Sequence, residues 1–198
     1  ISPQLLDFDG SMEITRNTLK PYASCLLTHP VIDAARALSE AVKPDNIAEI
    51  VVDVTPACIQ LAGKPKPQTG LEGKFSTAYC AALGLMGHTV TAADFAEDRV
   101  GDPALRALVD KVTLNPVPDM KMTAAKLTLR LADGSELGHD TPLALGNPGN
   151  PMNWEDMKDK FMPLVEPVLG DEAESLYDLL RRFGDGERME KIQKIVAR

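Results

Sequence analysis

Residues 126–131, KLTLRL, alternate polar and apolar side chains without a break. Successive side chains of a strand point to opposite faces, so Leu127, Leu129 and Leu131 share one face that must be buried. Asp133 and Gly134 follow, and both tolerate the positive φ of a turn that matches the twist of paired strands, so residues 135–142 are expected to return antiparallel. Two more stretches read as strands. IAEIVVDV at 47–54 is rich in β-branched residues and alternates Ile50, Val52 and Val54 against Glu49 and Asp53; VTLNPV at 112–117 is the other. The expected class is α+β: a small antiparallel sheet with packed helices, followed by an all-helical carboxy-terminal segment.

The helices that cover such a sheet are visible as 3.6-residue stripes. Val31, Ala34, Ala35, Leu38 and Val42 form one, with Pro30 in its first turn and Lys43-Pro44 at its end. Phe75, Tyr79, Ala82, Leu83 and Met86 form another, with Gly87 where a left-handed cap falls. Between them, residues 62–73, AGKPKPQTGLEG, are too dense in proline, glycine and lysine for either regular element and read as a long loop. Thr91 with Asp94, and Asp102 with Pro103, open two short helices.

After His139 the composition turns to LALGNPGNPMNW, which marks a boundary. Beyond it Asn153 and Asp156 cap a helix whose apolar stripe runs from Trp154 to Val168, interrupted by Pro163 and Pro167. Two further helices follow Gly170 and Gly186. Their stripes of Leu176, Leu179, Leu180 and Phe183, then Met189, Ile192, Ile195 and Val196, exceed what a four-stranded sheet can cover. The tail is expected to dock on a helical body. The chain begins at Ile1, and ISPQLLDFDG has neither cap nor period, so it reads as the middle of something longer.

A net charge of -8 argues against binding nucleic acid or an anionic membrane, both of which need clustered Lys and Arg. No apolar run approaches the roughly 20 residues that span a bilayer, and no secretory signal pattern opens the chain, so a soluble cytoplasmic protein is expected. Cys25, Cys58 and Cys80 have no zinc-type spacing and read as reduced thiols; His29, His88 and His139 are scattered. No metal and no cofactor is expected.

The chemistry concentrates in residues 17–33, NTLKPYASCLLTHPVID. Lys20 precedes a proline, which biases it to an extended conformation at a strand or loop end with its ammonium outward. Thr28 and His29 lie at a helix start, where free N–H groups favour an anion, so the stretch reads as a receptacle for a carboxylate. His29 can face that anion or simply cap the helix. Cys25 is a nucleophile only with a depressed pKa, and otherwise lines the pocket as a small residue. Tyr79 lies on an apolar stripe, which by spacing alone favours a core tyrosine over an acid/base group. Lys64, Lys66 and Lys74 flank the Pro-rich loop and can steer an acidic substrate or stay solvated.

Three blocks, ITRNTLKPYASCLLTHPVIDAARAL, KPKPQTGLEGKFSTAYCAAL and NPGNPMNWEDMKDKF, resemble the MmgE/PrpD family of 2-methylcitrate dehydratases, cis-aconitate decarboxylases and iminodisuccinate epimerases. The resemblance implies an opening segment at 1–14, an α+β lid over 15–145 and a tail at 146–198 that completes a helical domain lying outside this chain. It further implies a homodimer and a small di- or tricarboxylate substrate. Lys20 matches the lysine of the family's KPY motif and Tyr79 the tyrosine after TGLEGKFS, both placed at the site; Cys25 and His29 would line it. Cys25 stands where decarboxylase-like members carry histidine, which puts dehydratase or epimerase chemistry ahead. A non-catalytic docking subunit is the alternative.

Overall fold

A computed structural model describes residues 12–183 and 188–197. The stretch ISPQLLDFDG and Gly186 lie outside the described residues. Strands β1 (Ile47–Val54), β2 (Val112–Pro116), β3 (Ala125–Leu131) and β4 (Glu136–Thr141) form one sheet in the order β2-β1-β3-β4. The alternation in KLTLRL does what the pleat requires: Leu127 and Leu129 are fully buried, and they pair with Val52 and Ile50 of β1, buried on the same face. The turn into β4 places Gly134 at φ +84. Strand β4 is an edge, and its exposed Glu136, His139 and Asp140 leave little for another strand to pair with.

The class is α+β, but the sheet is mixed rather than wholly antiparallel, because β2 runs parallel to β1. A parallel pair needs a long crossover, and the chain between the two strands supplies it as a run of helices. These are α2 (Pro56–Ala62), α3 (Gly70–Lys74), α4 (Thr77–Leu85), α5 (Glu97–Val100) and α6 (Pro103–Val109); α1 (His29–Ser39) precedes β1. Helix α4 is buried on every side, and it packs on α1 closely enough that a Cβ added at Gly84 would come 2.6 Å from that of Ala35.

The expected loop at 62–73 is shorter than its composition implies. Thr69 caps α3, its side chain accepting from the Glu72 amide at 3.3 Å, while Glu72 reaches back to the Gln68 amide at 2.8 Å. The T-x-x-E cap outweighs the glycines around it. The two capping boxes, Thr91 with Asp94 and Asn153 with Asp156, form as the sequence predicts.

The tail folds as α7 (Trp154–Leu169), α8 (Glu172–Arg181) and α9 (Arg188–Val196). Pro163 and Pro167 lie inside α7, and none of its residues is fully buried. Trp154 and Phe161 close on the ring of Tyr177, whose hydroxyl donates to the Trp154 carbonyl. Trp154 and Leu164 are still 52% exposed and Val168 80%, and Phe183 and Val196 are also exposed, so much of the apolar stripe faces outward. Among the described residues no helix is long and apolar enough to cross a membrane.

Candidate active-site cleft

Lys20 sits in a segment held by backbone hydrogen bonds from three directions. The Leu19 amide donates to the Gly146 carbonyl at 2.9 Å, the Ala23 amide to Val90 at 3.0 Å and the Cys25 amide to Lys74 at 2.9 Å. Gly146 has φ +88, and a Cβ there would lie 1.9 Å from the Leu19 carbonyl oxygen. Only glycine fits this approach. Gly146→Ala is therefore expected to cost about 2 kcal/mol and to displace the Lys20 segment. A chemical-denaturation midpoint at wild-type level would contradict that. Val90, at φ 56 and buried, is a β-branched residue held in the left-handed region beside the same segment.

Below the segment, the Tyr22 hydroxyl donates to Asp33 Oδ1 at 2.5 Å, and the Leu145 amide donates to Asp33 Oδ2 at 2.8 Å. One carboxylate thereby joins the KPY segment, α1 and the boundary loop. Burial raises the pKa of Asp33, and burial together with that carboxylate raises the pKa of Tyr22. The Arg36 guanidinium lies 5.9 Å over the Tyr22 ring.

Lys20 itself is exposed, and its ammonium donates to the Ser24 carbonyl at 3.1 Å. It shares an open cleft with Cys25, Ser24, Lys74 and Phe75. On its other side it borders a cavity of about 250 Å³ that also involves Arg36, Asp159 and Lys160. The Lys160 ammonium donates to the Lys20 carbonyl at 2.5 Å, tying α7 to the same segment. Cys25 is a free, half-buried thiol on the cleft wall. Cys58 and Cys80 are buried; burial raises both pKa values, that of Cys80 to about 12, which keeps it a thiol.

The structure sets Tyr79 and His29 apart from this cleft. Tyr79 is buried in α4 and its hydroxyl donates to the Asp94 carbonyl at 2.7 Å, with burial raising its pKa. The small pocket it borders is shared with Lys66, Pro67 and Arg106, not Lys20. That is the core placement that spacing alone favoured. His29 is fully buried and neither ring nitrogen has a hydrogen-bond partner. Burial lowers its pKa to about 4, against the opposing pull of the nearby Ser24 backbone. The helix start it occupies is not open to an anion, because a 3-10 turn over Leu26–Thr28 runs straight into α1 and Thr28 is buried with it. Among the described residues no group of three His, Cys, Asp or Glu side chains could hold a metal ion.

Sequence reasoning missed Asp33, Gly146 and Val90, which position the segment without touching the cleft. Their partners lie far away in the chain, so no local pattern marks them.

A family model described as the MmgE/PrpD C-terminal domain matches residues 22–183. The cis-aconitate decarboxylase of Mus musculus is 28% identical over 181 residues, covering 85% of this chain and 37% of that protein. The cis-aconitate decarboxylase of Homo sapiens is 25% identical over 199 residues, covering 94% of this chain and 41% of that protein. The chain thus spans about two fifths of the length of these curated relatives.

Proposed function

This chain belongs to the MmgE/PrpD family, whose curated members similar to it are lyases, and from that premise we propose that it forms one wall of a cofactor-independent lyase site for a small di- or tricarboxylate. The reading rests chiefly on one observation. In a chain of net charge -8, Lys20 lines an open cleft, its ammonium donates to the Ser24 carbonyl, and among the described residues it forms no ion pair, the carboxylates of Asp156 and Asp159 lining the cavity on its other side.

Removal of a proton next to a carboxylate leaves an electron pair that spreads onto the carboxylate oxygens. That charge is discharged when the β-hydroxyl accepts a proton and leaves as water, forming the carbon–carbon double bond. A fixed ammonium beside the cleft stabilises the intermediate charge better than water, being already oriented, and its field is less screened once the other wall of the site closes over it. Lys20 has this role. The principal base and acid come from outside this wall: the His29 ring is buried and the Tyr79 hydroxyl is committed to a backbone carbonyl. The outward stripe of the tail helices supports docking on a helical body that carries them.

Water loss is placed ahead of decarboxylation on the family resemblance alone, in which Cys25 stands where decarboxylase-like members tend to carry histidine, although the similar curated relatives are cis-aconitate decarboxylases. Epimerisation shares the first proton abstraction and differs only in reprotonation. The test is to offer the complete protein 2-methylcitrate, cis-aconitate and iminodisuccinate and follow the products by mass and, for iminodisuccinate, by chiral chromatography. Loss of water from the hydroxy-tricarboxylate is expected. Release of carbon dioxide instead would sink the dehydratase reading, and inversion of iminodisuccinate alone would move it to an epimerase.

A further inference from the structure

Three lysines flank the Pro-rich loop, and the structure treats them differently. Lys64 pairs with Glu72 at 3.6 Å and Lys66 with Asp110 at 3.1 Å, so both charges are compensated within the fold. Lys74 meets no carboxylate among the described residues. Its ammonium lies 5.8 Å over the Phe95 ring, and the residue borders the same cleft as Lys20. The Lys74 carbonyl accepts from the Cys25 amide at 2.9 Å, so the backbone beneath this lysine is fixed to the Lys20 segment.

Both lysines border one cleft, and an anion bound there is attracted by both charges. This chain carries 29 acidic residues against 21 Lys and Arg, yet neither of these two lysines forms an ion pair with one of them among the described residues. The Phe95 ring gives Lys74 a weak, orienting contact and leaves its charge unneutralised. Lys74 has a stem long enough to swing from the ring to a ligand without moving the backbone.

We propose that Lys74 is a specificity-determining residue of this cleft: it binds a second carboxylate of the substrate while Lys20 serves the carboxylate next to the reacting carbon. The inference rests on the lyase reading for the role of Lys20, and on the charge arrangement alone for Lys74. It selects polycarboxylates over monocarboxylates, because a single carboxylate leaves one of the two ammoniums without an anion.

The probe is tricarballylate, a tricarboxylate with no hydroxyl to eliminate, with butyrate as the monocarboxylate control. Binding of each to the complete protein is measured by calorimetry at low ionic strength, for wild type, Lys74→Gln and Lys74→Arg. Wild type is expected to bind tricarballylate, Lys74→Gln to weaken it about tenfold with butyrate unaffected, and Lys74→Arg to restore it to within about threefold. Circular-dichroism melts confirm that the variants fold. A Lys74→Gln affinity within twofold of wild type overturns the proposal, as does a wild type that does not bind tricarballylate. Weakened binding in a protein that turns over no carboxylate supports Lys74 and sinks the lyase reading, so the two failures are distinguishable.

Discussion

On the proposed lyase reading, Lys20→Ala in the complete protein is expected to lower kcat by about 10²–10³ while leaving the thermal midpoint within about 1 °C, the size of effect seen when one preorganised donor to a developing negative charge is removed. The two halves of that expectation have separate physical origins. Lys20 is exposed, and its ammonium makes one hydrogen bond, to the Ser24 carbonyl. Losing it leaves an acceptor that water can satisfy, and exposed substitutions of this kind change stability little. The segment stays in place because its anchors are backbone bonds from Leu19, Ala23 and Cys25, none of which involves the lysine side chain. The intermediate's charge, by contrast, has no cheap substitute for a positioned ammonium. The loss should therefore fall on kcat more than on KM, since the charge is largest after proton abstraction. Lys20→Arg should recover only part of the rate, because the guanidinium presents its donors in a planar fork of different reach. A kcat within threefold of wild type for Lys20→Ala would remove Lys20 from the chemistry.

The elements that could be read from the sequence are those with local causes. Strand β1 has its expected limits because β-branched alternation is a property of neighbours, and the caps at Thr91 and Asn153 form because a cap needs only the next three residues. Pairing is another matter. Nothing within Val112–Pro116 says that it lies parallel to β1, since that depends on where the crossover helices bring the chain back. The cleft shows the same division. Lys20 and Cys25 are five residues apart and share the cleft, whereas Lys74 arrives there through a hydrogen bond across the fold. Which of three loop lysines would be left uncompensated depended on where Glu72 and Asp110 fell in space. Tyr79 carried two readings, and only tertiary packing showed its hydroxyl engaged with Asp94.

Acid should destabilise the fold, and His29→Leu should remove a large part of that sensitivity. His29 is fully buried with no hydrogen-bond partner on either ring nitrogen, and burial lowers its pKa from 6.5 to about 4. In the unfolded chain the imidazole takes up a proton near pH 6.5; in the fold it does not until about pH 4. Between those values the unfolded state binds more protons, so stability rises with pH across the window and is lost on acidification. The full effect is about 3 kcal/mol, of which about 2 kcal/mol falls between pH 7 and pH 5. For a chain of this length that is a drop of about 4–8 °C in melting temperature. Asp33 acts with the opposite sign: burial raises its pKa, so the fold holds its proton more tightly than the unfolded chain and stability from this group falls as pH rises. It is present in both proteins and largely cancels when they are compared. At pH 7 His29→Leu forfeits the edge-on contact with Tyr22 at 5.2 Å, worth about 1 kcal/mol, but also removes two buried polar atoms that nothing satisfies. The net change should be small or stabilising. The comparison to make is the wild-type melting curve against His29→Leu from pH 7 to pH 4.5; equal slopes would mean that the imidazole is not what titrates.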